Sequence, residues 1–190
     1  MLSFVPGADI TDVVGWTVVL DFASDATPLP PWWQVQPGGC RYTEPAQFVA
    51  GLPAGSENCV DAWSQSGSAT VQSLIYPGPS GDDRHFRVIL GVGVAGADAF
   101  TLTAGETYLA GILTIRFVGT STCSGCTSPV CFVFNSAQVT RLPGAAGGSP
   151  PAFVTPSPAF GNQATWGAGT ACGIVPARAR TWGQIKSLYR

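Results

Sequence analysis

The residues in this sequence with the most recognisable chemistry are its six cysteines: Cys40, Cys59, Cys123, Cys126, Cys131 and Cys172. Cysteines form disulfides, bind zinc as thiolates or carry out thiol–disulfide exchange. A structural zinc site commonly uses two C-x-x-C pairs, and only Cys123-Ser-Gly-Cys126 has that spacing. The same motif lacks the βαβ context of a redox site. An even cysteine count in a chain rich in glycine, proline and threonine therefore predicts structural disulfides and an oxidising compartment.

The positions of the cysteines leave several pairings open. Cys40 and Cys59 enclose a long segment with few strand signals, and a bridge between them would contribute roughly 3 kcal/mol by loop closure. We favour this pairing for these two residues. For the other four, two arrangements fit the sequence: Cys123–Cys131 across the base of a hairpin with Cys126–Cys172, or Cys123–Cys126 with Cys131–Cys172.

Tryptophans form a second candidate site, centred on Pro31-Trp32-Trp33-Gln34. Adjacent side chains of an extended chain point to opposite sides, which predicts that Trp32 and Trp33 do not share one core. An exposed ring can stack on a sugar, and Trp63, with Asp61 and Gln65 nearby, would extend such a platform. Alternatively, both rings cover one end of the fold beneath the long loop.

A catalytic site is hard to assemble from the remaining residues. The only histidine, His85, follows Asp82-Asp83-Arg84, but no G-x-S-x-G motif supplies the serine of a hydrolase triad. The calcium-loop spacing D-x-D-x-D-G is also absent. We therefore expect a solvated turn at Asp82–His85 and a non-catalytic protein without metal or cofactor, and keep an extracellular hydrolase as an alternative.

The elements that would position these residues are predicted to be β-strands. Apolar residues alternate along Val13–Phe22 and Phe86–Val94, with Arg87 on the face opposite the core. No stretch shows a convincing helical period. Further strands are predicted at Leu109–Phe117, Val130–Phe134, Ala69–Tyr76, Ala99–Thr103 and Ser136–Leu142. Short strands joined by Gly/Pro turns predict an all-β fold, a disulfide-stapled, Ig-like β-sandwich, with a closed barrel as the alternative.

Composition divides the chain into a β-sandwich domain at 1–142 and a C-terminal segment at 143–190. The second part opens with a Gly/Pro-rich linker, and its last 13 residues carry four basic groups and no acid, whereas the rest of the chain has a net charge of −6. The tail is expected to dock on the acidic body or to extend from it. The body lacks the basic stripe of a nucleic-acid-binding protein, and no apolar run is long enough to span a membrane.

Three motifs taken together resemble a group of uncharacterised secreted bacterial proteins: Leu29–Gln34 with Cys40-Arg41, Cys123–Cys126 through Pro129-Val130-Cys131, and Trp182–Arg190, which reads WGQIKSLYR. The resemblance covers most of the chain and implies export. Met1–Pro6 has no signal-peptide pattern, so we expect that the signal was removed or lies upstream. Separately, Ala104–Phe117 is similar to a strand pair of cohesin-like domains, which implies a sandwich and hints at protein–protein recognition.

These observations predict a secreted module, extracellular or at the cell surface, with a structural or protein-binding role. Its expected partners are other protein subunits, including copies of itself, or a surface polymer. Charged residues make up only 11% of the chain, against about 25% in an average globular protein, and exposed strand edges in such a chain favour strand-to-strand association. The alternatives are a carbohydrate-binding module that uses Trp32, Trp33 and Trp63, and the hydrolase.

Overall fold

The computed structural model describes residues 1–42, 47–49, 59–63, 70–77, 85–115, 122–145, 153–154 and 162–167. These residues are mostly β-strand, with two short 3-10 turns at Pro31–Trp33 and Gly96–Asp98. Within them no helix is long and apolar enough to cross a bilayer. The strands are β1 (Leu2–Phe4), β2 (Ile10–Ala23), β3 (Gln47–Val49), β4 (Thr70–Pro77), β5 (His85–Gly93), β6 (Phe100–Leu102), β7 (Tyr108–Thr114), β8 (Val130–Arg141), β9 (Phe153–Val154) and β10 (Gln163–Trp166).

Two antiparallel sheets form the predicted β-sandwich. The larger sheet has the order β10-β8-β2-β5-β4, with β6 paired to β2 and β9 paired to β8. The smaller sheet has the order β1-β7-β3. A buried hydrogen bond of 2.8 Å from the Trp16 indole Nε1–H on β2 to the Ala110 carbonyl on β7 joins the two sheets. Phe4 of β1 packs edge-on against the same indole at 5.2 Å.

The alternating sequences of β2 and β5 produce the core. In β5, Phe86, Val88, Leu90 and Val92 are buried while the residues between them are half-buried, as the two-residue period predicts. The core side of β2 is formed by Trp16, Val18, Leu20 and Phe22. Near the start of β2 the prediction was wrong by one position, because Val13 is fully buried and Val14 only half-buried. The register to β8 shifts between Val13 and Gly15, and such a bulge reverses the face on which later residues lie.

A second bulge explains why the sequence pattern divided β8 into two strands. The partners of Val19 and Leu20 on β8 are Ser136 and Phe134, so Asn135 is the extra residue. In the main core cluster the residues before the bulge are even-numbered, Val130, Phe132 and Phe134, and those after it are Ala137 and Val139; Cys131 and Val133 are buried in a separate small cluster. The change of parity interrupts the alternation in the sequence, although the strand itself is continuous from Val130 to Arg141.

The described parts of the 143–190 segment add strands to the larger sheet. β9 pairs with Ala137 and Gln138, and β10 pairs with Val130 to Val133, so both lie along the outer edge of β8. The basic tail, residues 178–190, lies outside the described residues, as do the linker residues 146–151.

Candidate functional site

The most distinctive surface feature is the outer edge of β4, which ends the larger sheet. β4 pairs with β5 over eight consecutive positions, from Thr70↔Gly93 to Pro77↔Phe86, without a register shift. Among the described strands none pairs with its other side; β3 of the smaller sheet lies near β4 but forms no ladder with it. Edge strands present unpaired N–H and C=O groups, which are a template for an added strand.

β4 lacks the features by which most proteins protect an edge. Its sequence, Thr-Val-Gln-Ser-Leu-Ile-Tyr-Pro, contains no charged residue, and its only proline is the last position. The other edges differ. β10 has only four residues, and β1 has three residues and a register shift. Charges, bulges and short strands are the usual protection against edge-to-edge pairing, so β4 is the edge suited to recognition.

A polar network on the sheet face opposite the sandwich core fixes the strands behind β4. Asp21 of β2 lies directly opposite Arg87 of β5, and the guanidinium donates from Nε to Oδ1 at 2.6 Å and from Nη2 to Oδ2 at 2.9 Å. Asn135, the bulge residue of β8, donates from Nδ2 to Oδ2 at 2.6 Å. Three strands thus converge on one buried carboxylate. β5, which carries Arg87, is the strand that supports β4.

The environment of Arg87 favours its charged form. The side-chain hydrogen bond to Asp21 is the main cause that raises the pKa of Arg87 above its ordinary value; burial opposes the shift and the negative charge of Asp21 adds to it. Asp21 is only 4% exposed, so the carboxylate depends on these donors for the solvation that it loses on burial. The network is a structural clamp, because both carboxylate oxygens of Asp21 accept hydrogen bonds from side chains of the neighbouring strands.

The predicted tryptophan site lies in the core. Trp32, Trp33 and Trp63 are 5%, 2% and 5% exposed. Residues Pro31–Trp33 form a 3-10 turn, so the prediction that the adjacent rings point to opposite sides, which assumed an extended chain, does not hold. The rings of Trp32 and Trp33 pack edge-to-face, with 4.7 Å between their centroids. Trp63 packs on Trp16 at 4.2 Å. Stacking on a sugar needs an exposed ring face, and these rings present none, which agrees with the alternative that they cover the interior.

Arg41 joins this aromatic cluster. It is 3% exposed, and its guanidinium carbon lies 3.9 Å from the centroid of the Trp32 ring, a cation–π contact. The backbone N–H of Trp32 donates to the carbonyl of Ser124 at 2.9 Å, which brings the turn against residues 122–129. The result is a compact closure of one end of the sandwich.

This closure also explains the disulfide, which differs from the favoured pairing. Cys40 is bonded to Cys123, with 5.9 Å between the Cα atoms, so Cys40–Cys59 and both pairings expected for Cys123 are wrong. Cys59 is a free, half-buried thiol; the adjacent Val60 is held on β7 by hydrogen bonds with Thr107 and Leu109. The long loop therefore closes onto the segment before β8 instead of onto itself.

Two other cysteines are described. The thiol of Cys126 is free and exposed. Its backbone carbonyl accepts a hydrogen bond of 2.8 Å from the indole N–H of Trp166 on β10. Cys131 is disulfide-bonded. Cys172 lies outside the described residues. The described residues hold no group of three or more potential metal-ligating side chains.

The hydrolase candidates are only partly described. His85 begins β5, where it pairs with Ala23 of β2, and is half-buried. Asp82 and Asp83 lie outside the described residues.

A shallow depression of about 570 Å³ also opens on the larger sheet, lined in part by Gly15, Gly91, Gly93, Thr17 and Thr140. It contains no titratable side chain and supports no chemistry by itself. An added Cβ at Gly93 would lie 3.2 Å from the carbonyl oxygen of Val14, so the backbones of β2 and β5 approach each other closely at this glycine.

Sequence reasoning missed the two features that matter most here. The pairing of Asp21 with Arg87 had one signal, since both are polar residues on the non-core face of two predicted strands. The position of β4 at the sheet edge had no signal, because strand order is not encoded in the period of a single strand. Comparison with protein families, with curated proteins and with solved structures gave no match for this chain.

Proposed function

We propose that this chain is a secreted, non-catalytic structural or protein-binding module, a subunit of an extracellular or cell-surface assembly that joins its partners through the β4 edge. The observation that carries the proposal is the uncharged, eight-residue strand at the end of the larger sheet, whose outer side pairs with no other described strand. Strand addition at such an edge supplies affinity through main-chain hydrogen bonds. The Cys40–Cys123 disulfide supports an oxidising location, where cross-linked domains persist.

The alternatives receive less support. The burial of Trp32, Trp33 and Trp63 does not favour carbohydrate binding through these rings. No observation in the described residues favours a hydrolase.

The test is fractionation of cells that produce the full-length protein in its native host. We expect the chain in the extracellular or surface fraction, with Cys40 and Cys123 oxidised, in a native species heavier than its own 19.6 kDa. Non-reducing and reducing gels would separate covalent from strand-mediated association. A chain found in the cytoplasm with both thiols reduced would overturn the location, and a chain that migrates alone in every fraction would overturn the assembly.

A further inference from the structure

The β4 edge is regular enough to continue the sheet into a second molecule. Its unbroken register with β5 gives the outward backbone groups the alternating close and wide spacing of a regular antiparallel strand. Eight residues exceed the typical strand length of about 5–6, so a complete ladder can form on this side. The strand behind it, β5, is joined to β2 by the Arg87–Asp21 ion pair as well as by the backbone ladder.

We infer that the strand added to β4 is β4 of a second copy of this chain, paired antiparallel about a two-fold axis; the inference rests on the proposed use of this edge. Antiparallel pairing of a strand with itself brings its residues close to their own copies, so charges in it would repel. β4 has none. An edge shaped for an acidic or basic partner would carry the complementary charge. Two-fold dimers are also the commonest closed assembly, and this pairing uses the β4 edge of both copies.

The register of the pairing follows from the two faces of the sheet. A two-fold axis perpendicular to the sheet makes each face of one copy continuous with the same face of the other. Odd-numbered residues must therefore lie opposite odd-numbered residues, and even opposite even. The odd positions of β4 pair with Val92, Leu90 and Val88 of β5, which are 5%, 1% and 3% exposed. Centring the axis on Ser73 sets Val71 opposite Ile75 and continues this apolar row. Centring it on Leu74 would set Val71 opposite Pro77, which has no N–H to donate.

The first experiment measures the native mass of the full chain by light scattering after size exclusion. We expect twice 19.6 kDa for the wild type. With the axis at Ser73, residue 72 of each copy lies opposite residue 74 of the other. The variant Gln72→Lys/Leu74→Lys therefore creates two facing lysine pairs and should raise the dissociation constant of the dimer about tenfold. Gln72→Lys/Leu74→Glu sets opposite charges in the same places and should restore it. Thr165→Lys, on exposed β10 at the other end of the sheet, is the matched control and should leave the mass unchanged.

The second experiment tests the register by cross-linking. In a Cys59→Ser/Cys126→Ser background, Ser73→Cys lies opposite its own copy and should form a disulfide-linked dimer under mild oxidation. Gln72→Cys lies opposite Leu74 of the second copy and should link far less. Circular dichroism checks that each variant is folded. Should the lysine variant fail to fold, the wild-type mass and the two cysteine variants still decide the question.

Each outcome has a defined meaning. A wild type that is strictly monomeric, or a dimer that ignores the lysines, overturns self-pairing through β4. Linking at Gln72→Cys in place of Ser73→Cys overturns the register. If the host assembly contains one copy of this chain bound to a different protein, self-pairing fails while the proposed function stands. If the chain is monomeric both when purified and in the host, both proposals fail.

Discussion

Asp21 and Arg87 face each other across β2 and β5 and form a two-point ion pair, with Nε–Oδ1 and Nη2–Oδ2 distances of 2.6 and 2.9 Å. The pair lies on the sheet face opposite the main core, where the carboxylate is buried and the arginine side chain keeps 29% exposure. A third strand contributes Asn135. β5 is the strand to which β4 is paired, so this clamp reinforces the attachment of β5, and with it β4, to the centre of the larger sheet.

Removal of Arg87 should destabilise the fold strongly. Arg87→Met retains most of the aliphatic stem but leaves the Asp21 carboxylate buried with a single side-chain donor. We expect the free energy of unfolding to fall by about 3 kcal/mol, the lower end of the range for a broken buried pair because Arg87 is partly exposed. Urea denaturation measures the change. The double variant Asp21→Leu/Arg87→Met should recover much of the loss; a double variant as unstable as the sum of both single variants would contradict this account.

The contribution of Arg87 should not depend on pH in the ordinary range. Its pKa is raised in the folded state, mainly by the hydrogen bond to Asp21. A raised pKa means that the stabilisation is fully present below the pKa of the unfolded state and is lost only as the pH rises through the pKa of the folded state. The difference in unfolding free energy between wild type and Arg87→Met should therefore stay constant from about pH 7 to about pH 10. A difference that shrinks steadily over this interval would argue against the assignment.

Loss of the Cys40–Cys123 disulfide should destabilise the protein far more than loss of either free thiol. The bridge joins residues 83 positions apart, for which the loop-closure model gives about 4.5 kcal/mol. We expect Cys40→Ser/Cys123→Ser to lower the unfolding free energy by about 2–5 kcal/mol in urea titrations. Cys126→Ser is the matched control, since its thiol is exposed and free.

A non-reducing peptide map checks the connectivity directly. It should recover Cys40 joined to Cys123, alkylate Cys126 readily and Cys59 more slowly, and find Cys131 oxidised. Cys172 is the remaining cysteine of the sequence, and we expect it as the partner of Cys131. A peptide that joins Cys40 to Cys59 would overturn the bridge described here.

Gly15 should not tolerate a side chain. A Cβ at this position would overlap the carbonyl oxygen of Val92 and lie 3.0 Å from the Cα of Gly93, both backbone atoms that cannot move aside. Gly15→Ala is expected to cost about 1–3 kcal/mol, as overpacking does. Gly7→Ala has nothing within 4 Å and serves as the control. Equal melting temperatures for the two variants would show that the β2–β5 contact is looser than described.

The sequence by itself determined the fold class and most strand positions. In β5 the two-residue alternation is complete, and both its limits and its buried face follow from local pattern, because a strand with one covered face must alternate. β4 and β6 also lie close to their predicted ranges. The prediction failed at Val14 and across Asn135, because a bulge at each place changes which alternate residues face the core. The position of a bulge depends on the pairing with the neighbouring strand, which the pattern of one strand does not show.

The tertiary structure alone decided what these elements do together. Trp32 and Trp33 enter one interior because a 3-10 turn places them there, and Cys40 reaches Cys123 because that turn packs against residues 122–129. The favoured Cys40–Cys59 pairing considered only separation along the chain. Likewise, the sequence predicts a strand close to the range of β4, but whether this strand is central or at an edge depends on which strands pair with it. Such pairings are long-range contacts whose partners no local period specifies, and the candidate recognition edge exists only at that level.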